Sequence, residues 1–202
     1  MQMPGPASQS NDHHGLSREH ELVERAKHDR QAFGELYERY VDRVYQYVYY
    51  RVGNRQDAED LTARVFFRVL DALPRYRCGR APFEAWLFKI ARNLVSNWHR
   101  DQKQRRLISL DDMPLLQRLV DHEPPDRIAE RRDEYEQLYQ AIRALAEERQ
   151  TLLYLKFIEG MSNAEIGEVL GKSEGAVKAL YNRTLHTLRR ELRKRGVHVG
   201  RR

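Results

Sequence analysis

The chain has 202 residues, 33% of them charged, a mean hydropathy of −0.81 and a formal net charge of +6. That length suits one large domain or two small ones with modest cores. It contains no apolar run of about 18 residues, which argues against a membrane-spanning helix, and its single cysteine, Cys78, has no internal partner for a disulfide.

The opening MQMPGPASQSNDHHG lacks an apolar signal core, so a cytoplasmic location is expected. Residues 1–16 read as a disordered lead. No His/Cys ligand spacing appears, so no metal or other cofactor is expected. Leu22, Val23 and Ala26 mark a short helix after Ser17. Phe33, Leu36, Tyr37, Tyr40, Val41, Val44 and Val48 fall at helical spacing and predict a long amphipathic helix over roughly 30–51. Gly53-Asn54 closes it and opens the next helix, where Asn54 can cap and Asp57, Glu59 and Asp60 suit the positive end of the helix dipole. That helix carries Leu61, Val65, Val69 and Leu70 on its apolar face and closes before Pro74.

A basic connection, RYRCGRA, follows, and Pro82 suits the first position of a third long helix. Phe83, Trp86, Leu87, Ile90, Ala91, Leu94 and Trp98 give this helix a wide apolar stripe. Its polar face carries Lys89, Arg92, Asn93, Ser96, Asn97, Arg100, Lys103, Arg105 and Arg106. Arginine and lysine hold phosphates, whereas asparagine can pair with base edges. Trp86 fits the core by its spacing, while Phe88 and Tyr76 read as more open and suited to stacking on unpaired bases.

From Leu107 to Arg132 the helical pattern breaks around Pro114, Pro124 and Pro125, which reads as a flexible linker. Periodicity returns at Tyr135, Leu138, Ile142 and Leu145, then at Leu152, Leu153, Leu155 and Ile158. Ser162 and Glu165 form a Ser-x-x-Glu capping box, Ile166, Val169 and Leu170 an apolar face, and Gly171 a helix stop. Ser173 caps a last helix with Val177, Leu180, Tyr181, Leu185 and Leu188 on one side and Lys178, Asn182, Arg183, His186, Arg189 and Arg190 on the other. From Lys172 to Arg202 there are ten bases and two acids, a net +8 that exceeds the charge of the whole chain. A capped helix, a glycine turn and a basic second helix fit a DNA-reading helix-turn-helix; a plain helical hairpin with a solvated face is the alternative. The expected architecture is all-α: a lead over 1–16, a first domain over 17–106, a linker over 107–132, a second domain over 133–195 and a basic tail over 196–202.

Taken together, AFGELYERYVDRVY, DAEDLTARVFFRVL, APFEAWLFKIARNLVSNWHR and LAEERQTLLYLKFIEGMSNAEIGEVLGKSEGAVKALYNRTLHTLRREL resemble, in this order, the extracytoplasmic-function (ECF) group of sigma-70 factors. The resemblance covers roughly 30–106 and 134–193. It implies a region 2 domain and a region 4 domain, no catalytic residues, and core RNA polymerase, promoter DNA and an anti-sigma factor as partners. It implies that the helix holding Asp57, Asp60 and Leu61 docks on the β′ clamp helices. It places Phe88, Lys89, Arg92, Asn93, Asn97 and Arg100 at the −10 element and its melted strand, and the acids Asp111, Asp112 and Asp121 in a linker that threads toward the polymerase cleft. It implies that the second domain packs on the β flap and reads the −35 element through Lys156, Lys178, Asn182 and Arg183.

The chain departs from the family's pattern at Ala63-Arg64, where Gln-Glu is common, at Ala146, where proline is common, at Leu180, where arginine is common, and at Asn182, where an aromatic is common. Leu180 and Asn182 are therefore where this chain's own promoter choice is expected. The rival functions are a free-standing helix-turn-helix regulator and a helical protein-interaction module. An enzyme is not expected, because no nucleophile–base set, carboxylate pair or phosphate-binding glycine loop stands out.

Overall fold

The computed structural model describes residues 10–77, 82–102 and 132–197. Among these it has eight α-helices and one 3₁₀ turn, and no strand. The first four are α1 Ser10–Ala26, α2 Arg30–Val52, α3 Arg55–Ala72 and α4 Phe83–Gln102. The last four are α5 Arg132–Arg143, α6 Glu147–Phe157, α7 Asn163–Leu170 and α8 Glu174–Lys194.

Local chemistry sets most of the boundaries. Asp29 accepts the Gln31 amide at 2.9 Å and caps α2. Gly53, at φ 77°, turns the chain out of α2, and Asn54 then accepts the Asp57 amide at 2.9 Å to open α3. Pro74 tightens the end of α3 into the 3₁₀ turn Leu73–Arg75. Two boundaries differ from the sequence expectation. Helix α1 starts at Ser10, so residues 10–16 are helical rather than a disordered lead; once Leu22, Val23 and Ala26 are docked, adding turns at the free end costs little. Pro82 stands just before α4, its carbonyl accepting the Trp86 amide at 3.4 Å, instead of occupying the first helical position.

In the first domain α2, α3 and α4 bury Leu36, Tyr40, Val44, Val48, Leu61, Val65, Val69, Leu87, Phe88, Ala91 and Val95 around one centre, with α1 laid across α2. Each Leu, Val or Phe side chain among them removed from water contributes about 1.5–3 kcal/mol. In the second domain Ser162 and Glu165 make both halves of the capping box at the start of α7. Gly171 takes φ 67° at its end, and Ser173 caps α8 through the Ala176 amide. Gly167 faces the turn so closely that a Cβ there would lie 2.6 Å from the Lys172 carbonyl oxygen.

The two domains share one core. Helix α4 packs on α7, and Tyr154 of α6 meets Tyr47 and Tyr50 of α2 at centroid distances of 5.2 Å each. The expected linker lies outside the described residues except for Arg132, which opens α5; Cys78, Asp111, Asp112 and Asp121 lie outside them too.

Candidate nucleic-acid interface

Helix α8 stands on α7 through Val177, Leu180 and Thr184, all buried. Thr184 fits this apolar face because its hydroxyl donates to the Leu180 carbonyl at 2.8 Å. The other side of α8, with Lys178, Asn182, Arg183, His186, Arg189 and Arg190, is exposed. Lys178, Asn182 and His186 follow at steps of four and share one line along the helix. The first turn, Glu174 to Ala176, is also open. Two contacts fix the helix: Arg149 donates to the Thr187 hydroxyl at 2.7 Å, and Lys172 in the turn lies 3.1 Å from Glu148. Lys156 is half-buried, its Nζ donating to the Met161 carbonyl at 3.3 Å, so it braces the entry to α7 as well as adding charge.

Leu180 stands on the apolar side, where its spacing put it, rather than on the exposed face, although promoter choice was expected there. Leu180 is only 6% exposed and packs in the domain core, so its side chain cannot select bases; the change from the family's common arginine removes a polar group here and adds an apolar anchor.

On α4 the structure brings Lys89, Asn93, Asn97 and Arg100 to the surface in one stripe, with Arg92 half-buried beside it. Arg100 donates to Asn97 Oδ1 at 3.0 Å, so the two act as one polar unit. Phe88 does not join them. Its ring is fully buried, edge-on to Tyr47, and offers no face to a base. Tyr76 is also nearly buried, against Phe83 and Trp86. The expectation of open aromatics beside this stripe fails because Tyr47 of α2 covers Phe88, and Phe83 and Trp86 close over Tyr76.

The expected polymerase-docking trio also divides. Leu61 is 2% exposed and belongs to the core. Asp57 is half-buried and receives Asn54 Nδ2 at 2.7 Å, which makes it part of the cap. Asp60 is exposed and paired with Arg64 at 2.8 Å, so the arginine at the unusual Ala63-Arg64 site neutralises it. Beside this pair Phe67 and Leu70 are open, at 73% and 51%. Leu70, expected in the core, falls one residue beyond the buried line of Leu61, Val65 and Val69. The sequence hides Phe67 because it stands in the run Val65-Phe66-Phe67, where its neighbours Val65 and Phe66 are core residues. The signal that marks it is the three-residue step from Phe67 to Leu70, off the buried register.

Charged groups gather where the domains meet. Arg43 of α2 donates from Nε to Glu159 at 2.8 Å and also bonds Glu84 of α4. Burial raises the Glu84 carboxyl above its ordinary range, against the pull of Arg43, with Glu159 and Glu19 adding to the rise. Burial raises the Tyr40 hydroxyl too, as does its bond to Glu19. Among the described residues no group of three or more His, Cys, Asp or Glu side chains is placed to hold a metal ion. No described helix is long and apolar enough to cross a membrane.

Two helical domains, each presenting an exposed polar, basic helix face, the second built as a helix-turn-helix, have the form of a DNA-binding protein. The family matches specify it further. Sigma-70 region 2 matches residues 36–105, and Sigma-70, region 4 matches residues 135–188. The chain is 40% identical over 173 residues to the ECF RNA polymerase sigma factor BldN of Streptomyces coelicolor, covering 85% of this chain and 65% of that protein. It is 29% identical over 164 residues to the ECF RNA polymerase sigma factor SigX of Bacillus subtilis, covering 80% of this chain and 84% of that one. Its fold is shared by CnrH, solved in complex with the cytosolic domain of CnrY, with a TM-score of 0.63, 24% identity, and coverage of 87% of this chain and 97% of that one. The chain belongs to the sigma-70 family, in its extracytoplasmic-function group of transcription-initiation factors.

Proposed function

We propose that the chain binds core RNA polymerase and directs it to promoters by holding two DNA elements at once. The observation that carries this reading is the pair of exposed stripes, Lys89, Asn93, Asn97 and Arg100 on α4 and Lys178, Asn182 and Arg183 on α8, set on separate domains. The α4 stripe, with Arg92 at its edge, engages the −10 element as it opens. The α8 stripe reads −35 base edges and phosphates, with Lys156 in support. Opening duplex costs roughly 1.4 kcal/mol per stacked step. With Phe88 and Tyr76 in the core, α4 meets that cost through Asn93, Asn97 and the basic side chains rather than through those two rings.

The polymerase meets the exposed face of α3, where Asp60 and Arg64 flank Phe67 and Leu70. An apolar pair rimmed by charge is the form a protein-docking surface takes. The second domain meets the β flap. A free-standing regulator would have no use for that face or for a region 2 domain. The protein acts in the cytoplasm and is held inactive by an anti-sigma factor; its fold relative CnrH likewise forms a complex with a second protein, the cytosolic domain of CnrY. Run-off transcription with core polymerase on genomic fragments, with start sites mapped, tests the proposal. Starts that share a −35 and a −10 motif and vanish without the chain are expected; absence of any chain-dependent start would refute it.

A further inference from the structure

Helix α8 rests on its neighbours along a line. Val177, Leu180, Thr184 and Leu188 follow at steps of three and four, the first three buried and Leu188 partly so. Helix α7 beneath it has 8 residues and α8 has 21, about 12 Å against about 31 Å of length. Apolar burial carries no direction of its own. A narrow seat of this kind fixes how deep α8 lies better than how it is rolled about its axis.

Roll matters more to reading bases than to holding phosphates. An asparagine reads a base edge by forming two hydrogen bonds at once. Such an arrangement has to be held within about 10–20°. A long cationic side chain on a phosphate tolerates more, and it positions the protein without reading sequence. Loss of roll control should therefore lower discrimination at the −35 element while leaving sequence-independent binding in place.

The structure holds the roll from the flank. Arg149, in the first turn of α6, donates from Nη1 to the Thr187 hydroxyl at 2.7 Å. That hydroxyl donates in turn to the Arg183 carbonyl at 2.9 Å. The guanidinium is thus linked through one side chain to the backbone beside Asn182, and a bond from a charged donor is short and directional. Glu148, the residue before Arg149, lies 3.1 Å from Lys172 in the turn that leads into α8. Adjacent residues of α6 therefore tether α8 at its entry and again one turn beyond Arg183. Glu148 and Lys172 are 37% and 34% exposed, so their pair adds little stability and acts mainly in placement.

We infer that Arg149 is a positioning residue for −35 discrimination: it touches no base, and by holding Thr187 it sets the roll at which α8 offers Lys178 and Asn182 to the groove. This role rests on the proposed function and lies wholly within the second domain. The test uses holoenzyme reconstituted from core polymerase and the full chain. Its affinity is measured for a promoter mapped by run-off transcription and for the same promoter with a scrambled −35 element. Arg149→Ala, Thr187→Val, the two combined and Thr187→Ser are compared with the parent. In parallel, the full chain with Cys78→Ser, Ala164→Cys and Arg193→Cys carries spin labels on α7 and α8, both at exposed positions, and the distance between them is measured in the same four backgrounds and the parent.

The ratio of the two affinities should fall about tenfold in Arg149→Ala and in Thr187→Val, fall no further in the double variant, and keep its parental value in Thr187→Ser, which retains the hydroxyl. Affinity for the scrambled promoter should change by less than about twofold. The label distances should broaden in Arg149→Ala and Thr187→Val and stay narrow with serine. Where Arg149→Ala fails to fold, Thr187→Val against Thr187→Ser carries the comparison. A ratio that falls in Arg149→Ala and not in Thr187→Val overturns the proposal. So does an equal loss at both promoters with a salt slope shallower by about one, which would make the guanidinium a phosphate contact. Narrow label distances in every variant overturn the control of roll. A parent with no preference for the intact −35 element overturns the reading role of α8 and the claim on discrimination with it; broadened distances in that case leave only the tether.

Discussion

Phe88 of α4 meets Tyr47 of α2 edge-on at the centre of the first domain, with ring centroids 5.6 Å apart and planes at 78°. The guanidinium of Arg43 lies 5.9 Å from the same Phe88 ring. Phe88→Ala should therefore cost about 3–5 kcal/mol of stability by opening a cavity. Asn97→Ala, at an exposed position, should stay within about 0.5 kcal/mol of the parent. Urea unfolding of the two variants measures this. Open-complex formation separates their roles: Asn97→Ala should impair it in a fully folded protein. A Phe88→Ala variant as stable as the parent would show that the ring is not in the core.

What the sequence made legible was local. Ser162 with Glu165, Asn54, Gly53 and Gly171 each act within one turn of helix, so their spacing alone located the helix ends and the two-domain, all-α order. The two exposed polar stripes were legible for the same reason, since Lys89, Asn93 and Asn97, or Lys178 and Asn182, share a face by helical geometry. What failed depended on partners distant in the chain. Phe88 is buried because a second helix covers it, and Leu70 is open because none of the described helices does. The bond from Arg43 to Glu159 joins positions 116 residues apart, and no local pattern announces it.

Gly167 and Gly34 should respond to alanine with opposite signs. At Gly167 the new Cβ would sit 2.6 Å from the Lys172 carbonyl oxygen, which is backbone and has little room to move. Gly167→Ala should lose about 1–3 kcal/mol through this overpacking, and shift α8 enough to weaken −35 binding. Gly34 lies inside α2 with nothing within 4 Å of a Cβ. Gly34→Ala should gain about 0.5–1 kcal/mol by lowering the entropy of the unfolded chain. Thermal melts of both variants, with −35 duplex titrations for the first, decide the matter; a neutral Gly167→Ala would mean that the turn is slack.

Asn182 is exposed on α8 and Leu180 is buried behind it, so the two should respond differently to alanine. Asn182→Ala should relax discrimination at one or two base pairs, by about 1–3 kcal/mol, with stability unchanged. Lys178→Ala should instead weaken binding across all −35 variants and reduce the salt dependence. Leu180→Ala should cost about 2–5 kcal/mol of folding stability and leave the pattern of base preference as it was. Binding of the polymerase holoenzyme to a panel of −35 duplexes, set beside urea unfolding, separates the three. A changed base preference in folded Leu180→Ala would put that residue back among the readers.

Glu147 makes the domain contact sensitive to acid. Burial by itself would raise its carboxyl, but the hydrogen bond from Ser96 and the nearby charges of Arg51 and His99 outweigh burial and hold it below its ordinary value of 4.5. A depressed carboxyl contributes stability that is present above the ordinary value and is lost as pH falls through the lowered one. Glu84 on Arg43 is raised, so its contribution runs the other way: present at low pH and lost as pH rises through the raised value. The two can be separated. Unfolding midpoints in urea, followed from neutral pH to below about pH 4, should fall less steeply on the acid side for Glu147→Gln than for the parent. Glu84→Gln should remove the opposing trend and steepen the acid-side fall. An acid-side slope unchanged by Glu147→Gln would show that this carboxylate titrates freely and takes no part in holding the domains together.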